Sequence, residues 1–184
     1  MNISVFLNFP KPYRKNQKIF IEQLGSYLKE RNFEPKTLRV TDYNLNAPLS
    51  AIRRLMFESN GIITVAFRRS YIKSGKKKSN NGFGDKQKKL DGKWLTSPFC
   101  HMEPAMAYQL GLLVLIFREK DVLDDGILGK GILGNYMPEF DLDKIDETYF
   151  TSNEFRKIMG RWEGKVRQVA EEKGYPPNWF IQFR

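Results

Sequence analysis

The sequence is poor in the features that mark secreted and membrane proteins. It contains a single cysteine, Cys100, which excludes an internal disulfide framework and fits a reducing compartment. The N-terminal run MNISVFLNFP has a short apolar stretch and lacks the basic region of a signal peptide. No apolar run approaches the roughly 20 residues that cross a bilayer. We therefore expect a cytoplasmic protein that has no membrane partner.

The sequence also lacks the common phosphate-binding and metal-binding motifs. Neither G-x-G-x-x-G after the first strand nor G-x-x-x-x-G-K-[ST] occurs. His101 is the only histidine, and no second cysteine or histidine is present to complete a zinc shell around it. A Cys–His catalytic pair is excluded as well, because Cys100 and His101 are adjacent and point in different directions on a helix. We expect neither a metal nor a bound cofactor.

Positive charge is concentrated in one segment. The chain has 31 Lys or Arg and 21 Asp or Glu, a net charge of +10, and residues 68–93 hold ten of the basic and two of the acidic residues. The Gly, Asn and Ser content of 68–93 predicts a mobile basic loop. Such a loop can follow a phosphate backbone, but a solvated run of charge is the commoner interpretation. Nucleic acid is therefore not the partner we expect first.

Runs typical of strands alternate with patterns typical of helices. Strands are predicted at 3–9, 36–40, 61–67 and 112–117, and helices at 14–31, 47–59, after Ser97, and at 153–172. The later strand runs are apolar without alternation, as in strands buried on both faces. The pattern predicts a single α/β domain over 1–184, a flavodoxin- or Rossmann-like parallel sheet with helices on both faces. Residues 141–184 are predicted to form a C-terminal helical extension.

Residues that follow the predicted strands are candidates for a binding site, because ligands bind at the carboxyl ends of such strands, where the strand order reverses. Phe9 follows the first strand and can stack on a planar ring, or it is an ordinary core aromatic. Asp42 follows the second strand and is equally well explained as a turn former. Arg68 and Arg69 follow the third strand and can hold a pyrophosphate, or they belong to the basic loop.

The stretch SPFCHMEPAMAYQLGLLVLIF, residues 97–117, places one carboxylate among apolar residues near a helix start. Ser97 or Thr96 can cap this helix, with Pro98 in its first position. Alternatively, Glu103 is itself the cap. The helix dipole favours the anion, whereas apolar neighbours raise the carboxyl pKa. Glu103 thus serves helix electrostatics alone, or it is a catalytic acid in a cleft.

The same stretch resembles two enzyme families. FCHME, residues 99–103, resembles the W-C-x-x-E motif of TIR domains, with Phe99 in place of the tryptophan and Glu103 at the catalytic glutamate. Residues 97–117 also resemble the helix of nucleoside 2-deoxyribosyltransferases, in which a glutamate, small residues and a glycine precede the next strand. The small positions are taken here by Ala105, Ala107 and Gly111. The Gly-Lys-Pro-Val turn of that family has become GLLV.

The resemblance implies a flavodoxin-like fold and an enzyme that acts on an N-glycosidic bond through Glu103. Nicotinamide leaves as a cationic group and needs no general acid, so a lone glutamate favours NAD as the substrate over a neutral base. The expected products are nicotinamide with ADP-ribose or a cyclic ADP-ribose signal. Bacterial relatives of the TIR type act in antiphage defence. The resemblance to such enzymes also implies a homo-oligomer and an effector protein that responds to the product.

Further residues are expected to bind the substrate. Ser97 can hydrogen-bond a ribose hydroxyl or simply cap its helix, and Asp42 can deliver a proton to a neutral base. The glycine-rich segment 121–140 is interpreted as a lid that brings Tyr136 toward the ribose. Three alternatives stay open: a nucleoside or nucleotide deoxyribosyltransferase or hydrolase, a non-catalytic nucleotide-binding sensor or scaffold, and a protein that binds nucleic acid through residues 68–93.

Overall fold

The computed structural model describes residues 2–38, 48–79, 82–84, 86–133, 138–146 and 148–174. The strands within these ranges are β1 (Ile3–Asn8), β2 (Phe33–Lys36), β3 (Gly61–Ala66), β4 (Ser70–Ile72), β5 (Lys76–Lys77), β6 (Lys88–Lys89), β7 (Lys93–Leu95), β8 (Leu113–Glu119) and β9 (Glu139–Phe140). The helices are α1 (Lys15–Glu30), α2 (Pro48–Phe57), α3 (Phe99–Gln109) and α4 (Asn153–Lys173). None of the helices described is long and apolar enough to cross a membrane.

Five of the strands form one parallel sheet in the order β2-β1-β3-β8-β9. Counted in chain order, this is the 2-1-3-4-5 order of flavodoxin-like sheets. The prediction of a single α/β domain with a flavodoxin-like parallel sheet is confirmed. From β1 the chain winds outward to β2 and then returns to the other side of β1 to form β3. The strand order therefore reverses between β1 and β3.

The central strands β3 and β8 are buried on both faces, as their apolar runs predicted. Every residue of β3 is buried, and so is every residue of β8 after the first. The prediction for β8 stopped at 117 because two charged residues follow. The structure continues the strand, since Arg118 donates to Glu139 at 2.7 Å and Glu119 accepts the backbone N–H of Arg68 at 2.8 Å. Buried charges are tolerated when they are paired in this way.

The second strand lies earlier in the chain than predicted. It was expected at 36–40, whereas β2 is Phe33–Lys36, and residues 39–40 lie outside the described ranges. Pro35 misled the prediction, because proline has no N–H to donate to a sheet. Pro35 is aligned with Val5 of β1, on the outermost strand of the sheet. An edge strand has partners on one side only, so a proline there costs little.

Helices cover both faces of the sheet and form two cores. The core beneath α1 and α4 includes Phe20, Leu24, Leu28, Phe155, Met159 and Trp162. The core beneath α2 and α3 includes Ile52, Met56, Cys100 and Ala107. Residues 141–184 were predicted to form a C-terminal helical extension. Within them, α4 packs beside α1 on one face of the sheet, and its Trp162 donates to the Leu113 carbonyl in β8 at 3.3 Å.

Close contact between α4 and the sheet depends on Gly61. A Cβ added at Gly61 would lie 2.7 Å from Cγ2 of Val166 and 3.0 Å from Cζ2 of Trp162. We expect Gly61→Ala to lower the free energy of unfolding by about 1–3 kcal/mol, because α4 must move outward to admit the methyl group. Gly164→Ala is the matched control, since a Cβ at Gly164 in α4 meets nothing within 4 Å.

Urea unfolding followed by circular dichroism measures both variants. Gly164→Ala is expected to raise stability by up to about 1 kcal/mol, because alanine is the better helix former. Equal stability of Gly61→Ala and the unsubstituted protein would show that α4 does not pack on β3 at this distance.

The basic segment has regular structure. Residues 70–95, here named the basic arm, contain two antiparallel ladders, in which β4 pairs with β7 and β5 pairs with β6. The segment predicted as a mobile basic loop therefore contains short strands. Short runs of lysine hid the ladders, because lysine is a poor strand former and two-residue strands carry no alternation pattern. The arm is inserted between β3 and α3.

Candidate functional site

A cavity of about 480 Å³ opens where the strand order reverses. Its wall is made by the end of β1 and the loop that follows it, by residues after β2 and β3, and by the start of α3. The lining residues are Phe6, Leu7, Asn8, Phe9, Pro10, Lys11, Pro12, Thr37, Leu38, Arg69, Ser97, Phe99 and Glu103. The volume lies within the 300–1,000 Å³ that is usual for small-molecule sites. A cavity of suitable size is therefore present at the switch point, where the rule for parallel sheets predicts a ligand.

The start of α3 brings Ser97, Phe99 and Glu103 to the cavity. The backbone N–H of Phe99 donates to Oγ of Ser97 at 3.3 Å, and Pro98 already has helical backbone angles of −52° and −31°. This is the bond that an N-cap serine makes two residues into a helix. Of the two predicted helix starts, the one capped by Ser97 is right. Glu103 lies more than one turn inside the helix and is not its cap.

The Glu103 carboxyl is buried in the cavity wall. Its side chain is 4% exposed, and burial raises its pKa from 4.5 to about 8. Among the residues that the structure describes, no cation or hydrogen-bond donor is paired with this carboxyl. The helix dipole acts within the first turn and does not offset the burial. The helix thus holds a carboxyl whose charge is not balanced by any described residue, which argues against a role in helix electrostatics alone.

Asn8 is a site residue at a strand end that the switch-point rule selects, although no role was predicted for it from the sequence. It is the last residue of β1, is buried, and lines the cavity. Its Nδ2 donates to Oγ1 of Thr64 in β3 at 3.3 Å and to the carbonyl of Phe99 in α3 at 3.4 Å. Asn8 therefore ties together the three elements that form the cavity. A polar residue ending an apolar strand at the switch point was the available sign.

Two cations line the cavity together with Glu103. Lys11 lies in the loop after β1, and Arg69 follows β3, where its backbone N–H donates to the Leu95 carbonyl at 2.9 Å. Within the described part of the chain, neither side chain has a carboxylate partner. Lys11 follows a strand that the switch-point rule selects, although no role was predicted for it from the sequence. The cavity combines one buried carboxyl with two unpaired cations.

Arg68 does not line the cavity. Its guanidinium is 13% exposed and lies 3.7 Å from Glu119, 3.3 Å from Asp121 and 3.6 Å from Asp143. It also donates to the Lys120 carbonyl at 2.6 Å. These contacts hold the guanidinium at the carboxyl end of β8. Of the two arginines predicted to bind a pyrophosphate, only Arg69 is placed to do so.

Gln17 joins the two loops that carry the cavity cations. The side chain is buried in the first turn of α1, where its Oε1 accepts the backbone N–H of Tyr13 at 3.1 Å. Its Nε2 donates to the carbonyl of Arg68 at 3.2 Å. The loop after β1 and the turn after β3 are therefore held at a fixed separation. This fixes the distance between the backbones that carry Lys11 and Arg69.

The other predicted site residues fall in three places. Phe9 lines the cavity while packing on the core beneath α1, so both of its predicted roles are open to it. Asp42 and Tyr136 lie outside the described residues. The described part of the predicted lid, 121–133, contributes nothing to the cavity wall, and its Leu128 is anchored in the core beneath α3.

Cys100 and His101 do not line the cavity either. Cys100 is buried, and burial raises the pKa of its thiol to about 12. The imidazole of His101 faces Gly126, and burial lowers its pKa. Both were set aside as a catalytic pair from their adjacency in the sequence.

No protein-family model matches the chain, and no curated protein matches it.

Proposed function

We propose that the protein cleaves the N-glycosidic bond between nicotinamide and ribose in NAD, with Glu103 as its catalytic carboxylate. The observation that carries this proposal is the lone buried carboxyl in the wall of the switch-point cavity. A carboxylate without a cation of its own is suited to a substrate that brings a positive charge, and the nicotinamide ring of NAD is positively charged. Lys11 and Arg69 support the proposal, because neither has a carboxylate partner among the described residues and two such cations suit a pyrophosphate.

The proposed reaction begins with proton release. A cationic ring held beside Glu103 lowers its pKa from about 8, so that the carboxyl ionises as the substrate binds. The bond between C1′ and the ring nitrogen then breaks, and the electron pair goes to the nitrogen, which leaves as neutral nicotinamide. The ribosyl cation is stabilised by the Glu103 carboxylate, in contact or as an ester. Attack by water, or by a nitrogen of the adenine, gives ADP-ribose or a cyclic product and releases a proton.

Incubation with NAD tests the proposal. Purified protein at high concentration is mixed with NAD, and nicotinamide release is followed by chromatography. The second product distinguishes hydrolysis from cyclisation, because ADP-ribose and cyclic ADP-ribose, which differ by one water, elute separately. Intact NAD, with ligand-induced thermal stabilisation as the only effect, would favour the non-catalytic sensor.

Lys11 and Arg69 are expected to bind the pyrophosphate. We expect the double variant Lys11→Ala/Arg69→Ala to raise the KM for NAD by roughly 10- to 100-fold and to change kcat little, since these contacts lie away from the reacting bond. Nicotinamide riboside has the same glycosidic bond without phosphate, so its kcat/KM should not change in this variant. Lys18→Ala/Lys29→Ala removes the same charge from α1, outside the cavity, and is the control.

Initial rates over a range of substrate concentrations give KM and kcat for both substrates. Loss of activity on nicotinamide riboside equal to the loss on NAD would contradict a role confined to the phosphates.

A neutral nucleoside is the second candidate substrate, and the raised pKa of Glu103 favours it. A carboxyl with a pKa of about 8 is largely protonated at neutral pH and can donate a proton to a neutral leaving base. In that reaction Glu103 is a general acid, as expected of a nucleoside hydrolase or deoxyribosyltransferase. The two candidates predict opposite pH dependence.

We extend the proposal to biological role on the resemblance of residues 99–103 to the W-C-x-x-E motif of TIR domains. The proposed role is antiphage defence, with self-association to complete the site and an effector protein that responds to the product. Specific activity that rises with protein concentration, in step with a larger species in gel filtration, would support self-association. Constant specific activity over a 100-fold concentration range would count against it.

A further inference from the structure

The basic arm has two faces with different surroundings. In the β5–β6 ladder Lys76 is paired with Lys89, and Lys77 with Lys88. Successive residues of a strand point to opposite faces, so each cross-strand pair occupies one face. Two lysine pairs are thereby set back to back. Like charges directly opposite each other destabilise a ladder, and both pairs carry that cost.

One face is neutralised by the body of the protein. Nζ of Lys77 lies 2.9 Å from Oδ1 of Asp125, and Nζ of Lys88 lies 3.7 Å from Oδ1 of Asp124. These two carboxylates follow β8 and stand opposite the arm. The inner face, Lys77 and Lys88, therefore has its counter-charges within the domain, and they dock the arm against it.

The outer face has no such partners. Lys76 and Lys89 are exposed, and among the residues that the structure describes neither forms an ion pair. Lys73 and Lys86 flank the ladder and are likewise exposed and unpaired within the described ranges. Four exposed cations of the arm therefore have no carboxylate partner among the residues that the structure describes.

We propose that the outer face of the basic arm binds the phosphate backbone of nucleic acid without reading its sequence. A row of lysines suits a polyanion of regular charge spacing, where each contact releases a counterion. The exposed Tyr71 ring, packed 5.0 Å from Trp94, provides a platform on which an unpaired base can stack. Stable attachment to a lipid surface needs an inserted apolar helix face or a lipid chain, and the ladder presents lysines instead.

Two charge-matched variants of the full-length protein test this surface. The probe is a fluorescent single strand of about 20 nucleotides with mixed sequence, followed by anisotropy. For wild type we expect affinity to fall roughly 50-fold between 50 and 200 mM salt, as four phosphate contacts imply. Lys76→Gln/Lys89→Gln should bind at least tenfold more weakly at 50 mM salt, whereas Lys77→Gln/Lys88→Gln should stay within about threefold of wild type. Circular dichroism and melting temperature verify that both variants fold.

Several results would overturn the proposal. Equal weakening by the two variants would mean that net charge alone attracts the probe, and no weakening by either would remove the arm from the interface. Absence of binding to the oligonucleotide at 50 mM salt would exclude nucleic acid as the ligand. This conclusion holds whether or not the protein sediments with vesicles that contain phosphatidylserine. None of these results depends on whether the protein cleaves NAD.

Discussion

Glu103→Gln is expected to lower the rate of nicotinamide release from NAD by roughly 10³-fold or more, because the glutamine amide cannot stabilise the positive charge that develops on the ribose. The side chain keeps its size and its place in α3, so NAD should still bind. Product formation measured by chromatography gives the rate, and Glu58→Gln, a surface carboxyl that pairs with Lys36 at 3.1 Å, is the control that should keep full activity.

The same substitution is expected to stabilise the protein. The folded-state pKa of Glu103, about 8, lies above its ordinary value of 4.5, so the folded state holds this proton more tightly than the unfolded state. Its stabilising contribution is fully present below pH 4.5 and is lost as pH rises toward 8. At pH 7 this loss of unfolding free energy is on the order of 3 kcal/mol, and Glu103→Gln removes it. At pH 4 the substitution should change the free energy of unfolding little.

Urea unfolding at the two pH values measures the difference. A variant that is inactive and more stable at pH 7 would identify Glu103 as a residue kept for function at a cost in stability. A variant that is inactive and less stable at both pH values would instead indicate that Glu103 holds the fold together.

The second large effect concerns pH. If Glu103 acts as an anion on NAD, kcat/KM should rise by roughly 50-fold from pH 6 to pH 8 and level off above, following ionisation of the carboxyl in the free protein. If Glu103 instead donates a proton to a neutral base, kcat/KM for the nucleoside should fall as pH rises through 8. The sign of the slope therefore separates the two candidate substrates.

His101→Gln is the control for this profile. His101 is the chain's only histidine and lies outside the cavity, and burial lowers its pKa, away from the value of about 8 for Glu103. The profile should keep its shape in this variant. Initial rates at substrate concentrations well below KM give kcat/KM directly. A flat profile from pH 6 to pH 9 would contradict both roles for Glu103.

The layered fold was predictable because its strands are apolar throughout. GIITVA and LVLIF each read as a strand buried on both faces, and such strands need helices above and below. The errors occurred where a neighbour distant in the sequence decides the local structure. Pro35 can lie within β2 because β2 is an edge strand. β8 can continue through Arg118 because Glu139 pairs with this residue. Neither circumstance is visible in the local residues.

The candidate site was predictable in part. Glu103 was found from a motif, and the rule for parallel sheets selects the loop after β1, where Phe9 and Lys11 line the cavity. The sequence does not separate Arg68 from Arg69, which have the same chemistry and adjacent positions. The choice is made by carboxylates more than fifty positions later in the chain, such as Glu119, which fix Arg68 outside the cavity and leave Arg69 to it.

The way in which the basic arm joins the domain has a consequence for how such a protein can diversify. Ser70 and Leu95 are paired across its base, so the chain leaves the body and returns to it side by side. A hairpin attached in this manner can be lengthened, shortened or exchanged without a change in the sheet. Selection can thus act on the arm and on the cavity separately. The same α/β body can therefore acquire a new binding surface through replacement of a single hairpin.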